Sequence, residues 1–242
     1  MDTYDAAVYW GCRVESAEEC ARRAETFFRL LSQCDPIYTR WFEKADSRKK
    51  ALQLQFEPTA ETFARFFKRR GYRIAQVGFL FGAWTGHAEN ERGGSLRFTC
   101  GYDAVGALNN CVLDLPREEA GLERVLTVPV LADIIRAMVL AWEPDCGVVF
   151  ANAYQRMREH PVGKPYTGWL MYFSRRMGEV PPLPEPVRVE PVEDKGTLII
   201  LTPERFNGHD PAHVALADQV RDLLDRAGLV RDLIPSPPAP HG

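Results

Sequence analysis

The stretch GFLFGAWTGHAENERGGSLRFTCGY, Gly78–Tyr102, holds two apolar runs separated by a short polar segment. Both runs are rich in the aromatic and aliphatic residues that suit a pleated, half-buried surface. Gly93-Gly94 is a standard way to supply positive φ at a chain reversal. The stretch therefore predicts a strand, a tip and a returning strand. The tip carries His87, Glu89 and Glu91, which could act as acid–base groups, but Glu89, Asn90, Glu91 and Arg92 are also what a solvated turn requires. A turn is the simpler reading. The first strand is drawn over YRIAQVGFLFGAW (Tyr72–Trp84), and NNCVLDLP (Asn109–Pro116) supplies a third, so this region reads as an antiparallel meander.

Reading outward, DAAVYWGCR (Asp5–Arg13) is a strand, and SAEECARRAETFFRLLSQC (Ser16–Cys34) an amphipathic helix. Ser16 and Glu19 form a capping box, and Ala17, Cys20, Ala24, Phe27, Phe28 and Leu31 fall near one face. A second helix follows Pro58, with Thr59 as cap and Phe63, Phe66 and Phe67 as its apolar stripe. The apolar helix Leu131–Trp142 is expected to lie across the sheet. DCGVVFANA and TGWLMYFSRR read as further strands. Proline cannot donate to a central ladder, so EVPPLPEPVRVEPVEDKG (Glu179–Gly196) reads as a linker or crossing loop. TLIILT is an apolar strand. The last helix has Asp210 as N-cap, Pro211 in its first turn and Gly228 at its stop.

This mixture indicates an α+β fold, an antiparallel or mixed β-sheet meander flanked by helices. Residues 1–230 form one domain, or two subdomains meeting near residues 116–145, followed by a proline-rich tail over 231–242. Strand-then-helix order recurs at both ends of the chain, a likeness of order and not of residues. Trp10, Phe28, Phe81, Leu140 and Ile200 are expected in the core.

With 242 residues and a formal net charge of −3, the chain can bury a sizeable core and lacks the concentrated positive charge of a general nucleic-acid binder. The basic run FKRRGYR (Phe67–Arg73) ends a predicted helix, where cations suit the dipole. The start shows no basic region followed by an apolar one, so no signal peptide is expected. VPVLADIIRAMVLAW is broken by Asp133 and Arg136 and is too short to span a bilayer. A cytoplasmic protein with no membrane and no direct nucleic-acid partner is expected. Its cysteines, Cys12, Cys20, Cys34, Cys100, Cys111 and Cys146, are expected as buried free thiols.

Templates for chemistry fail one by one. His209 and His213 have the spacing of a zinc-binding pair, but Asp210-Pro211 start the helix between them, and no third ligand completes a site. Pro144-Asp145 with Glu193–Lys195 imitates the acidic pair and lysine of the restriction-endonuclease fold, yet VEDKG has the signature of a turn. GxSxG, phosphate-loop and dinucleotide-loop motifs are absent. No catalytic residue, cofactor or metal is expected. Acids cluster at Glu15, Glu18 and Glu19, at Glu89 and Glu91, and at Glu118, Glu119 and Glu123. Acids near helix starts are stabilising, but together they could offer a basic partner a phosphate-like surface.

The segment VYWGCRVESAEECARRAETFFRLLSQCDPIYTRWFEKADSRKKALQL, with FEPTAETFARFF, GFLFGAWTGHAENERGGSLRFTCGY and PYTGWLMYFSRR, resembles the immunity protein 52 family. That resemblance implies a cytosolic antitoxin that neutralises the restriction-endonuclease-fold nuclease domain of a type VI secretion effector by stoichiometric binding. No residue roles come with it, so Glu89, Glu91, Glu118, Glu119 and Glu123 stand as toxin-binding candidates on charge alone. The rival reading is a small cytosolic enzyme, a hydrolase or metal-dependent nuclease using the 87–91 loop or Glu193 and Lys195. A structural or adaptor protein of the secretion machinery is a third.

Overall fold

The computed structural model describes residues 2–74, 78–86, 94–104, 106, 108–117, 119–158 and 163–233. The opening stretch does form a paired hairpin ladder. Strands β4 (Phe79–Trp84) and β5 (Ser95–Cys100) are antiparallel, with Trp84 opposite Ser95 and Phe79 opposite Cys100. β6 (Asn109–Asp114) continues the meander. The tip, residues 87–93, lies outside the described residues. β4 begins at Phe79 and not at Tyr72, because Arg70–Tyr72 closes a 3-10 turn after the preceding helix.

The remaining strands are β1 (Tyr4–Trp10), β2 (Trp41–Glu43), β3 (Gln55–Phe56), β7 (Cys146–Ala151), β8 (Leu170–Ser174), β9 (Arg188–Val192) and β10 (Gly196–Ile200). All ten join one sheet in the order β3-β2-β4-β5-β6-β1-β7-β8-β10-β9, and every pairing is antiparallel. Among the described residues the helices are α1 (Ala17–Cys34), α2 (Arg48–Ala51), α3 (Ala60–Phe67), α4 (Glu119–Val125), α5 (Val128–Trp142), α6 (Asn152–Arg156) and α7 (Pro211–Arg226). The fold is α+β, and the sheet is wholly antiparallel. The proline-rich segment departs from the loop reading: it contributes β9. Pro191 is tolerated there because β9 is the sheet's edge, where a missing N–H need not break a ladder.

The predicted caps are present. Ser16 Oγ accepts from Glu19 N at 3.2 Å, and Glu19 Oε2 accepts from Ser16 N at 2.8 Å. Thr59 caps α3, and Asp210 caps α7 through the N–H groups of Ala212 and His213. Ser16→Ala should cost about 1 kcal/mol. Urea unfolding will show this as a lower midpoint with an unchanged slope.

One face of the sheet is closed by helices. α1 packs between α3 and α5, and α5 also lies against β1, β7 and β8. Trp10 of β1 stacks on Trp142 of α5 at 5.5 Å, and Phe63 of α3 meets Phe81 of β4 at 5.4 Å. Trp10, Phe28, Phe81 and Ile200 are buried as expected. Leu140 is a correction: it is only partly buried and lines a cleft between α1 and α5. Two cysteines depart as well: Cys34, at the end of α1, is only half-buried, and Cys12 departs further. It is exposed, its Sγ 2.9 Å from the carbonyl of Asp103, because β1 stops at Trp10, short of it.

The opposite face divides in two. Over β7, β8 and β10 both faces are buried, which explains why those segments read as continuous apolar runs. Over β4 and β5 it is open: Phe79, Phe81 and Ala83 are buried, whereas Leu80 is 45% exposed, and Gly82 and Trp84 are half-buried.

Candidate functional site

Strand register lays the open face out in rows. The end row, at the tip of the β4–β5 hairpin, runs Trp84, Ser95, Asp114, Asp5, Phe150. The next runs Gly82, Arg97, Val112, Ala7, Val148, and the third Leu80, Thr99, Asn110, Tyr9, Cys146. Tyr166 bounds the open face on the β7 side, with its ring 6.0 Å from Phe150 and 5.8 Å from Tyr9. On the β2 side, Phe42 packs 6.0 Å from Trp84, and Lys44 Cδ lies 3.6 Å from where a Cβ on Gly82 would stand. Between them lies a shallow floor carrying an indole, an exposed leucine, an exposed arginine and two carboxyls.

Those carboxyls are the notable electrostatic feature. Asp5 and Asp114 stand directly opposite each other on adjacent strands. Ser95 Oγ donates to Asp114 Oδ2, and Asn152 Nδ2, at the start of α6, donates to Asp5 Oδ2 at 2.8 Å. Burial pushes the Asp5 carboxyl up to about 6, with the Asn152 amide opposing and Asp114 reinforcing the rise. Five other acids hold cations: Asp35 takes Arg124, Glu43 takes Arg69, Glu15 takes Arg13 and Arg23, Glu143 takes Arg23 and Lys195, and Asp218 takes Arg158. Among the described residues, no cation stands within ion-pair reach of Asp5 or Asp114.

The toxin-binding candidates read from sequence fall partly outside view. His87, Glu89, Glu91 and Glu118 lie outside the described residues. Glu119 begins α4, and Glu123 is exposed on it. The chain ends flanking 87–93 and the end of β6 share one end of the sheet, because Ser95 pairs with Asp114. Glu15 and Glu19 are absorbed structurally, the first in ion pairs and the second in the capping box. With Arg22, Arg23, Leu140 and Glu143 they line a cleft of about 360 Å³ between α1 and α5.

The nuclease imitation is occupied by other bonds. Asp145 accepts from Gly11 N and pairs with Arg176, while Lys195 Nζ sits 2.8 Å from Glu143 Oε1. Glu193 occupies the turn before β10 with φ of 45°. His213 accepts from Asn207 N and stacks on Phe206, and His209 precedes the helix. Among the described residues no grouping of three His, Cys, Asp or Glu could hold a metal, and no helix is long and apolar enough to cross a membrane.

Sequence reading missed the Asp5–Asp114 pair. A signal existed: both acids sit in strand patterns, Asp5 on the parity of Ala7 and Tyr9, and Asp114 on that of Val112 and Asn110. What was missing was the register that brings them together.

A family model described as Immunity protein 52 matches residues 2–233. The chain belongs to the Immunity protein 52 family. The match takes in every strand and helix, including all of the open face. No curated protein matches this immunity-family chain. Among solved structures it is similar to "Pseudomonas aeruginosa T6SS protein PA0821", at 12% identity with a TM-score of 0.51, covering 100% of this chain and 78% of that one. At that identity the likeness is one of fold.

Proposed function

We propose that this Imm52 chain is an antitoxin of the cytoplasm that neutralises a nuclease toxin of the type VI secretion system by occluding it, without chemistry of its own. The observation that carries this is the immunity-family match across residues 2–233. Two likenesses support the setting. The similar fold described above is that of a T6SS protein, and the sequence resembles TsiT, the immunity protein paired with the type VI effector TseT. Residues 1–230 act as one binding unit in this reading.

Physics favours an acidic face for the task. A nuclease site must concentrate positive charge to hold phosphate, so carboxylates on projecting segments meet its field favourably. In sequence Glu89 and Glu91 lie between Gly86 and Gly94, and Glu118, Glu119 and Glu123 come after β6, whose last residue, Asp114, pairs with Ser95 at the start of β5. One free nuclease can damage a genome, so affinity is expected at nanomolar Kd or tighter, about −12 kcal/mol or beyond. Rim charges act mainly on association. The Glu89→Lys/Glu91→Lys double variant should associate on the order of tenfold more slowly at low salt, with a flatter salt dependence and an unchanged fold. Stopped-flow mixing with the toxin domain across a salt series measures this. Association at the wild-type rate throughout would reduce the 87–93 segment to a turn and move attention to Glu118, Glu119 and Glu123.

A further inference from the structure

We propose that the open sheet face over β4 and β5, continued along the end row into β6 and β1, is the docking floor for the toxin, and that this end row receives a basic toxin side chain between Trp84 and the Asp5–Asp114 carboxyls. This rests on the antitoxin reading above and extends it from the acidic connections to the sheet itself.

Three observations lead there. Helices pack on one face, yet over β4 and β5 the other is left open with Leu80 45% exposed. An antiparallel sheet can present one solvated face, but such faces are ordinarily polar. This one displays the residue types that dominate binding hot spots: an indole, an arginine, and the tyrosines at its border. Trp84 is set apart from the other four tryptophans, since Trp10, Trp41, Trp142 and Trp169 are no more than 1% exposed.

The occupant follows from charge. Glu43, Asp218 and Glu143 each hold a guanidinium or ammonium partner, whereas Asp5 and Asp114 stand opposite each other with only an amide and a hydroxyl in hydrogen-bond reach, Arg117 acting on Asp5 from beyond ion-pair distance. Two adjacent carboxyls in a partly desolvated site gain most from a cation placed between them. A lysine or arginine side chain has that charge, and its aliphatic stem can lie along Trp84 while the head reaches the carboxyls. A basic projection with an apolar flank, of the kind a phosphate-holding enzyme carries beside its site, is therefore the stated partner chemistry.

The test uses the full chain and the toxin domain of its cognate effector. Immunity protein labelled with 5-fluorotryptophan gives one fluorine resonance per indole, with Trp84 assigned through Trp84→Phe. Adding unlabelled toxin domain to saturation should shift the Trp84 resonance more than any other. In parallel, Leu80→Arg should weaken binding at least tenfold, and Asp114→Asn should do so mainly through faster dissociation. Leu80 is exposed, so its variant should keep the wild-type Tm. If the wild-type chain binds but the Trp84 resonance stays put and Leu80→Arg binds within twofold of wild type, the docking floor is wrong while the antitoxin reading stands. If the wild-type chain fails to bind that domain at all, the antitoxin reading falls with it.

Discussion

Phe63→Ala should lose roughly 3–5 kcal/mol of unfolding free energy, a large fraction of the roughly 5–15 kcal/mol that holds a domain together. Phe63 is fully buried on α3, and its ring lies 5.2 Å from Phe28, 5.4 Å from Phe81, 5.9 Å from Phe56 and 6.4 Å from Phe98. Those rings belong to α1, β4, β3 and β5, so one side chain ties two helices to the half of the sheet whose other face is open. That half has a single packed layer and cannot share the loss with a second. Truncation leaves a cavity bounded by rigid rings, which collapse poorly. Leu80→Ala on the open face should change stability by less than about 0.5 kcal/mol. Urea denaturation of both variants gives the comparison, and a Phe63→Ala loss below about 1 kcal/mol would mean that the aromatic cluster repacks freely.

Ionising Asp5 should destabilise the fold, and the sign follows from its raised carboxyl. Unfolded, the group titrates at its ordinary 3.8, whereas folded it holds its proton to about 6. Between those values the folded chain binds a proton that the unfolded chain has released, so stability falls as pH rises through the window. Above it the loss is complete. The group is partly exposed, which leaves about 1–2 kcal/mol of the full linkage. Asp5→Asn keeps a neutral hydrogen-bonding side chain and removes the titration. The variant should match wild type near pH 3.5 and exceed it by about 1–2 kcal/mol above roughly pH 6.5. Asp35, Asp218 and Glu143 are held low by Arg124, Arg158 and Lys195 and act in the opposite sense at lower pH. The difference between variant and wild type cancels them. A difference independent of pH would show that Asp5 titrates alike in the folded and unfolded chains. The docking floor makes use of the same feature, since a strained carboxyl pair is the group with most to gain from an arriving cation.

Local patterns carried much of the fold. The Ser16–Glu19 capping box, the Thr59 cap and the Asp210-Pro211 start are written in neighbouring residues, because a helix end satisfies its N–H groups within one turn. The strand alternation around Phe81 and Phe98 is equally local, since the pleat repeats every two residues. β2 and β3 were illegible for the opposite reason. Two or three residues carry no period, and Trp41–Glu43 is a strand only because Trp84 and Phe56 arrive beside it. Leu140 was placed in the core because α5 is apolar nearly all round, and such a helix does not announce which side faces the cleft.

What the chain determined by itself was its class and its local devices: an α+β protein, an antiparallel meander drawn over Tyr72–Pro116, capped helices, and a proline-bearing segment barred from the centre of the sheet. Only the tertiary structure decided that β1 would sit between β6 and β7, and so set Asp5 against Asp114 and Trp84 along the same row. Caps and turns are satisfied by neighbours along the chain, so their rules can be read in order. Strand order and register are settled by the burial of whole faces against distant partners, and a shift of one residue would turn every side chain of β1 to the other side of the sheet. The candidate site lives entirely on that second kind of information.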